Sequence, residues 1–389
     1  MERNNKESTL LEAVQLGDRP RIAQLLKQNT DVEVTDHMGR TPLMIAVQQN
    51  NTDIVAQLLV AGSDPNHRDL TELTPFICAG ANGFTASLKL MAAAGADVKS
   101  VNRFGGTALL PAAEKGYLHT VQACLAIGVP VDHVNHLGWS ALLEAVILGD
   151  GGRLYADVVQ TLHDAGASVH LQDLDGKSAV YYADEQKQER VLGILTETLE
   201  DPQHPAVLEA KSLAAQNNWS AASQTVQTAL ESDGDNLDLL FYAGFYLAAQ
   251  DRFEEALAQY SHALVVAPDA LEFHFYTAYC YRLMNQSENA LQEFEKGAAL
   301  SSENSFYLYH KSNYLRELGR HEEAVEVMDE LVARNPERYD FWFHKANSLR
   351  SLGRHEEAVK AIECAIELQP DNPLYAKHKA QSEQLISKK

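Results

Sequence analysis

The sequence is poor in cysteine. Only four cysteines occur in 389 residues, and they lie far apart, at Cys78, Cys124, Cys280 and Cys364. No CxxC pair and no cysteine–histidine group at zinc-ligand spacing is present. This argues against a structural zinc site and against a disulfide framework. The pattern favours a reducing compartment, and we expect a cytoplasmic protein.

Long hydrophobic runs are also missing. The N-terminal segment MERNNKESTLLEAV lacks the apolar stretch of a signal peptide, and no window approaches 18 uncharged apolar residues. We therefore expect neither a Sec-type signal peptide nor insertion into a membrane.

Basic residues are outnumbered. The chain has 32 Lys and Arg against 54 Asp and Glu, a formal net charge of −22, and the acidic excess is present in both halves. Such a charge repels the phosphates of nucleic acids and of anionic lipids. Nucleic acid and membrane surfaces are therefore not the expected partners.

Internal repetition is what the sequence does contain. In the first half, a helix start recurs after 33, 33, 33, 33 and 38 residues, at Ser8, Thr41, Thr74, Thr107, Ser140 and Ser178. An alanine follows five positions after each start, and a glycine or asparagine often follows four positions later. A hydroxyl at the start caps the first helix, the small residue lets stacked helices approach, and the glycine ends the helix.

This half resembles the ankyrin-repeat family, and its best copy is GRTPLMIAVQQNNTDIVAQLLVAGSDPN at 39–66. The resemblance implies an ankyrin domain over 1–200 with about six repeats, each a helix pair with a short β-hairpin tip. The first and last copies are atypical, as terminal repeats are. Two departures stand out, since Glu72 replaces a tip glycine and an insertion of five residues surrounds 150–154.

The second half repeats with a period of 34. Its blocks follow one another without a gap from Gln203, Leu237, Leu271, Ser305 and Tyr339, and LGRHEEAV occurs at both 318–325 and 352–359. Small residues recur at positions 8, 20 and 27 of most blocks, and proline recurs at position 32. This half is similar to the tetratricopeptide-repeat (TPR) family. The resemblance implies five repeats and a capping helix over 201–389, so the predicted fold is all-α, with two consecutive solenoids.

Neither repeat pattern leaves room for a catalytic domain. His321 and His355 are each followed by Glu, but the second His of an HExxH zinc motif is missing, as are a P-loop and a dinucleotide-type GxGxxG. We therefore predict no enzyme activity, no cofactor and no metal site.

The TPR resemblance implies a partner groove along the first helix of each repeat. The residues at the groove positions are Phe241, Tyr242, Phe245, Phe275, Tyr276, Tyr279, Arg282, Tyr309, His310, Asn313, Arg316, Phe343, His344, Asn347 and Arg350. An aromatic and basic groove in an acidic molecule favours an extended acidic or C-terminal peptide. The competing interpretation is that the aromatic residues pack between helices and that the arginines pair with glutamates. The carboxylate clamp of co-chaperone TPR proteins is matched only by the asparagine at position 9.

The tips of the ankyrin hairpins form a second candidate surface. The predicted contact residues are Met38, Phe104, His136, Leu137 and Trp139. An apolar row along exposed tips indicates a protein interface. The alternative is that these side chains fold back onto neighbouring hairpins.

Together these features predict a monomeric, non-catalytic scaffold or adaptor that binds partner proteins through both arrays. Two alternatives stay open at this point. One is a dedicated chaperone for a single client, and the other is a bacterial effector that is delivered into a host cell and acts by protein binding. Repeat scaffolds host unrelated functions, so the fold alone does not decide among them.

Overall fold

The computed structural model describes residues 10–28, 30–198, 203–216, 218–301, 305–370 and 372–387. The chain divides into two compact units, Met1–Leu199 and Glu200–Lys389. The described residues are helical and contain no sheet, with one isolated β-bridge between Gln172 and Ser178. The all-α fold expected from the repeats is therefore confirmed, whereas the hairpin tips are turns rather than paired strands. The first predicted helix start, Ser8, lies outside the described residues.

The first unit is built from short helices, most of them six to nine residues long. Residues 10–15 form α1. The others are α2 (Arg19–Lys27), α3 (Pro42–Gln48), α4 (Thr52–Val60), α5 (Pro75–Asn82), α6 (Thr85–Ala93), α7 (Leu109–Glu114), α8 (Leu118–Ala126), α9 (Ala141–Ile147), α10 (Arg153–Asp164), α11 (Ala179–Glu185) and α12 (Glu189–Leu195).

The second unit has longer helices. They are α13 (Pro205–Ala215), α14 (Trp219–Leu230), α15 (Leu237–Ala248), α16 (Phe253–Val266), α17 (Glu272–Leu283), α18 (Ser287–Leu300), α19 (Phe306–Glu317), α20 (His321–Arg334), α21 (Tyr339–Ser351), α22 (His355–Leu368) and α23 (Pro373–Ile386). Within the described residues, every helix of the chain is too short or too polar to span a lipid bilayer.

Helix caps in the first unit follow the predicted pattern in four repeats. The side-chain oxygens of Thr41, Thr74, Ser140 and Ser178 each accept a hydrogen bond from the backbone N–H three residues later. Thr107 is different, because α7 starts two residues later and has no side-chain cap. The hydroxyl signal therefore located the repeat correctly but overstated the cap at this one position.

The connections between consecutive helix pairs in the first unit each contain a five-residue turn, here called a finger. Each begins with a residue whose Oδ1 accepts the N–H groups two and four residues later: Asp36, Asp69, Asn102, Asn135 and Asp173. The fourth finger residue has a positive φ, which glycine adopts without strain. Glu72, the predicted departure, keeps this conformation at φ 63°. Glu72 therefore adopts the strained left-handed backbone conformation, and the shape of the turn is unchanged.

Neighbouring fingers are hydrogen-bonded to one another through the backbone. Leu70 N–H donates to the Met38 carbonyl at 3.0 Å, and His136 N–H donates to the Phe104 carbonyl at 2.9 Å. A Cβ on Gly39 would lie 3.2 Å from Leu70 Cγ, so the finger glycine also leaves room for the next finger. Backbone hydrogen bonds therefore join the first finger to the second and the third finger to the fourth.

In the second unit, the small residues make the expected close contacts. Ala222, Ala256, Ala290, Ala324 and Ala358, which all occupy position 20, are fully buried. A larger side chain at these positions would push the paired helices apart. The repeat register predicted from the sequence is thus the packing register of the helices.

The repeated LGRHEEAV segment starts the second helix of a TPR pair. Arg320 binds Glu323 through two guanidinium nitrogens, and Arg354 binds Glu357 in the same way. Gly319 supplies the left-handed residue, φ 73°, that ends the preceding helix. The motif therefore serves the turn and the start of the helix, and its arginine is already paired with a glutamate of the same copy.

Candidate functional site

The residues predicted for the TPR groove fall into two groups. Phe241, Tyr242, Phe275, Tyr276, Tyr309, His310, Asn313, Phe343 and Asn347 are buried. Phe245, Tyr279, Arg282, Arg316, His344 and Arg350 are half-buried and reach the surface. A partner can touch the second group directly. The first group forms the floor beneath it.

The floor is a continuous stack of rings that links successive repeats. The ring centroids of Phe241 and Tyr276 lie 4.6 Å apart, and those of Phe275 and His310 lie 5.0 Å apart. Phe343 continues the stack to His378 at 5.0 Å. These contacts are those of the competing interpretation, in which aromatic residues pack between helices.

The surface above this floor changes character along the second unit. Position 9 is aromatic in the second and third repeats, with Phe245 and Tyr279, and it carries the amides Asn313 and Asn347 in the fourth and fifth repeats. Phe245 lies 5.7 Å from Phe241, so its ring extends the floor towards solvent. One end of the face is therefore suited to apolar groups and the other to hydrogen-bonding groups.

Three arginines occupy position 12 of successive repeats, and the first is neutralised. Arg282 binds Glu317, with its Nε 3.1 Å from a carboxylate oxygen. Its guanidinium carbon also lies 6.0 Å from the centre of the Tyr314 ring. This arginine is part of the contact between two repeats and has its counter-charge in the chain.

The other two arginines reach to the next repeat but meet neutral groups there. Arg316 Nη1 lies 2.9 Å from His344 Nδ1, and its Nη2 donates to Asn313 Oδ1 at 2.8 Å. Arg350 contacts His378 Nδ1 and donates to Gln381 Oε1 at 3.0 Å. An arginine has no acceptor, so each imidazole nitrogen accepts and each histidine is neutral in this arrangement.

The electrostatic consequence is visible at Arg350. Burial lowers its pKa, because water is removed from the charge and no carboxylate compensates. The pKa of Arg320, on the outer turn of the same unit, is raised instead by its hydrogen bonds to Glu323 and Glu288. Arg350 is thus a partly desolvated cation.

A buried side-chain amide, that of Asn347, lies between Arg316 and Arg350 in the sequence. Asn347 is 9% exposed, and its Nδ2 is buried without a hydrogen-bond partner among the described residues. Leaving such a donor unsatisfied costs about 1–3 kcal/mol. This end of the face therefore contains both uncompensated charge and unused donor capacity.

The ankyrin tip residues are placed differently from one another. Met38 is 39% exposed, His136 is exposed, and Phe104 and Leu137 are half-buried. The guanidinium carbon of Arg103 lies 4.7 Å from the centre of the Phe104 ring. Trp139 is only 3% exposed, because it follows the finger glycine and turns into the core. Trp139 cannot touch a partner in this arrangement.

Two exposed tip residues escaped the sequence analysis. Leu70 is 74% exposed and Leu174 is 53% exposed, and each directly follows the Asp that opens its finger. The residue immediately after Asp or Asn, two positions before the tip glycine position, is the signal that would have found them. With Leu70 and Leu174 included, each of the five fingers has an apolar residue in the row.

The fingers are also tied to the helices beneath them. Asn135 Nδ2 donates to Glu144 Oε1 at 2.7 Å, and Glu144 is buried. Burial raises the pKa of Glu144 well above its ordinary value, and the neighbouring Glu114 raises it further. The fourth finger therefore rests on a carboxyl group that resists ionisation.

Metal binding finds no support in the part of the chain that the structure describes. No group of three or more His, Cys, Asp or Glu side chains there is arranged to hold an ion. His133, which lies two residues before the fourth finger, instead has its Nε2 2.6 Å from the Gly105 carbonyl oxygen. This contact links the segment before the fourth finger to the third finger.

Comparison with protein-family models finds both repeat types. Ankyrin repeats match residues 10–102 and 76–173. The tetratricopeptide repeat matches residues 207–264, 238–305 and 309–373. No curated protein matches the chain.

Solved structures similar to the chain include several with ankyrin repeats. An ankyrin repeat domain from Acinetobacter baumannii is 41% identical, with 49% of this chain and 98% of that chain covered and a TM-score of 0.48. The ankyrin repeat domain of Bcl-3, a member of the IkappaB family, is 26% identical, with 49% and 86% covered and a TM-score of 0.45. A chain in the complex of the Bdellovibrio bacteriovorus predatory endopeptidase Bd0816 with immunity protein Bd3460 is 27% identical, with 49% and 97% covered and a TM-score of 0.43. The chain thus belongs to the ankyrin-repeat family through its N-terminal region and carries tetratricopeptide repeats in its C-terminal region.

Proposed function

We propose that this protein is a non-catalytic adaptor that holds two partner proteins, one on each unit. Ankyrin and TPR repeats are generally protein–protein interaction modules. The observation that carries the proposal is that each unit has its own surface with partner-type chemistry. One is the row of finger residues, and the other is the half-buried face of the TPR helices.

The ankyrin surface comprises Met38, Leu70, Phe104, Leu137 and Leu174. Its residues are apolar and recur on successive fingers, which suits a folded partner with a matching apolar strip. Hydrogen bonds between the first and second fingers and between the third and fourth fingers restrain the row, which reduces the conformational entropy lost on binding.

The TPR surface comprises Phe245 and Tyr279 at one end and Arg316, His344 and Arg350 at the other. It runs across four successive repeats, which suits an extended peptide better than a compact domain. The aromatic end would bury apolar side chains, and the basic end would meet acidic ones. The acidic excess of the whole chain argues against nucleic acid as the ligand. We further propose a cytoplasmic monomer.

Affinity capture from native extract, followed by mass spectrometry, tests this proposal with full-length baits. The tip variant carries Met38→Glu and Leu70→Glu, and the groove variant carries Phe245→Ala and Tyr279→Ala. The matched controls are Val60→Glu and Val265→Glu, since both valines are exposed and belong to neither surface.

We expect the tip variant and the groove variant to lose different partners while the controls keep both. Loss of the same single partner from both variants would contradict an adaptor and would support a dedicated chaperone for one client. Unchanged capture by both variants would show that neither surface binds the partners.

A further inference from the structure

We propose that the TPR unit recognises a segment carrying two acidic side chains, one bound at Arg316 and the other at Arg350. This inference rests on the proposed function, because it names the chemistry that the basic end of the TPR surface would select. It concerns one surface of one unit and does not depend on the ankyrin partner.

Counter-charges are unevenly distributed over the arginines of the TPR unit. The unit Glu200–Lys389 contains eight arginines, and among the described residues six of them form ion pairs with Asp or Glu: Arg252, Arg282, Arg320, Arg334, Arg338 and Arg354. The two that meet only neutral partners are Arg316 and Arg350. They hold the same position in adjacent repeats. In a strongly acidic chain, leaving two such cations unpaired on one face points to an external anion.

Arg316 and Arg350 each have N–H donors that are not used within the described part of the protein. A guanidinium group has five N–H donors in a planar fork. The hydrogen bonds described above use two donors of Arg316 and two of Arg350, so three donors of each group remain. A carboxylate can accept two of them side by side, which is the strongest geometry for this pair.

The side-chain amide of Asn347 has an N–H donor that is unsatisfied within the described structure. Arg350 reaches position 9 of the next block, Gln381, whereas Arg316 turns back to Asn313 in its own repeat. The corresponding amide of the repeat after Arg316, Asn347, has a buried Nδ2 without a hydrogen-bond partner among the described residues. Because Nδ2 is itself a donor, an arginine cannot satisfy it and an acceptor oxygen is required.

The arrangement favours two side chains over a single chain terminus. Adjacent packed helices lie about 8–10 Å apart. A peptide in the polyproline II conformation has three residues per turn and advances about 3.1 Å per residue, so side chains three positions apart lie on the same side of the peptide and about 9 Å apart. Two acidic residues about three positions apart would therefore reach two arginines in adjacent repeats. A terminal carboxylate could neutralise only one of them.

The test uses the full-length protein and three fluorescent peptides of twelve residues in the same Ala/Ser background. The first has blocked ends and two Glu separated by two residues, the second has Gln in place of both Glu, and the third has no acidic side chain but a free C-terminal carboxylate. Fluorescence anisotropy gives the dissociation constants at low salt. Circular dichroism confirms that each variant remains folded.

We expect the Glu peptide to bind at least about tenfold more tightly than either other peptide, because a hydrogen bond to a charged group contributes about 1.5–3 kcal/mol. Arg316→Ala and Arg350→Ala should each weaken it about tenfold. The matched control Arg354→Ala should leave it unchanged, since Arg354 already pairs with Glu357. The double variant Arg316→Glu with Arg350→Glu should reverse the preference towards a Lys peptide of the same spacing.

Equal affinity for the Glu and Gln peptides, or no binding of the Glu peptide, would overturn the inference. An equal loss in Arg354→Ala would do so as well, because it would indicate non-specific attraction. Tightest binding of the free-terminus peptide would replace the two-acid ligand with a C-terminal one. If the Arg316→Ala and Arg350→Ala variants keep the captured TPR-side partner, the adaptor proposal stands and the acidic site alone is wrong.

Discussion

The two units solve the same stacking problem with different interactions. In the ankyrin unit, neighbouring repeats are joined by backbone hydrogen bonds between fingers and by neutral side chains such as the Thr85–Thr120 hydroxyl pair at 2.7 Å. In the TPR unit, the same ion pair recurs across three interfaces: Lys311–Glu295, Lys345–Asp329 and Lys379–Glu363. The ankyrin unit also has an ion pair between repeats, Arg19–Asp53 at 2.7 Å, so the contrast lies in the regular recurrence of one ion pair at successive interfaces of the TPR unit.

The buried carboxyl groups show the same contrast. Glu144 in the ankyrin unit has an amide hydrogen bond and a nearby carboxyl group, and burial raises its pKa. Burial also acts to raise the pKa of Glu293 in the TPR unit, but hydrogen bonds from His274 and Lys296 outweigh it and lower the pKa. The two units should therefore respond to pH in opposite directions at these sites.

The largest expected effect concerns tryptophan. Trp139→Ala should lower the free energy of unfolding of the ankyrin unit by about 3–5 kcal/mol, because a large side chain leaves the core. Trp342→Ala in the TPR unit should cost about 1 kcal/mol, since Trp342 is half-buried and its indole N–H bonds the Pro336 carbonyl. Hydrogen exchange resolved by mass spectrometry measures each unit separately. A small loss for Trp139→Ala, with lost partner capture, would mean that Trp139 is a contact residue after all.

The next effect separates the units by pH. Because the folded-state pKa of Glu144 is raised, its stabilisation is complete below the unfolded value of about 4.5 and is lost as pH rises through the folded pKa. Glu144→Gln keeps the acceptor for Asn135 and should therefore stabilise the ankyrin unit at pH 8 by about 1–3 kcal/mol. The gain should shrink towards pH 4. A gain in the free energy of unfolding that does not change with pH would contradict a raised pKa of Glu144.

Glu293→Gln is the matched change in the TPR unit. A lowered pKa means that stabilisation is present above the unfolded value and is lost as pH falls through the folded pKa. The variant should destabilise the TPR unit by about 1–3 kcal/mol at neutral pH, and the difference from the parent should vanish in acid. Thermal unfolding across pH, followed by hydrogen exchange in each unit, checks both members of the pair.

A smaller effect is expected in the fingers. Glu72→Gly should stabilise the ankyrin unit by about 1 kcal/mol, because it relieves a left-handed conformation of a non-glycine residue. Gly176→Glu, the reverse change in the last finger, should cost a similar amount, since nothing lies within 4 Å of its missing Cβ. Urea unfolding midpoints measure both variants. Destabilisation by Glu72→Gly would mean that the glutamate side chain outweighs the backbone strain.

The smallest effect concerns salt. Replacing Lys311, Lys345 and Lys379 by Met should cost about 0.2–1 kcal/mol per pair, because these side chains are partly exposed. The loss should disappear in 1 M salt, where charges are screened within about 3 Å. Thr85→Val in the ankyrin unit should cost about 1 kcal/mol regardless of salt. A salt-independent loss in the lysine variant would remove the proposed difference between the units.

The sequence was sufficient for the helices, the repeat register and most caps. These features are local: a hydroxyl at Thr41, a small residue at Ala324 and a glycine at Gly319 each act on neighbours within one repeat. Because the sequence is periodic, equivalent residues make equivalent contacts in each repeat. This is why the fold could be read from the two repeat patterns.

The candidate surfaces were less predictable because burial depends on the neighbouring repeat. Phe241 occupies a groove position, but Tyr276 of the next repeat covers it at 4.6 Å. The ladder of Arg282, Arg316 and Arg350 is visible in the sequence, whereas its partners are not. Only geometry distinguishes Arg282, which reaches Glu317, from Arg316, which reaches a histidine.

The most direct measurement is sedimentation of the full-length protein with the two captured partners together. The proposal of separate surfaces predicts a 1:1:1 complex, and the affinity for each partner should be unaffected by saturation with the other. The tip and groove variants should each drop one partner from this complex. Mutual exclusion of the two partners would contradict the adaptor function and would indicate that they compete for one surface.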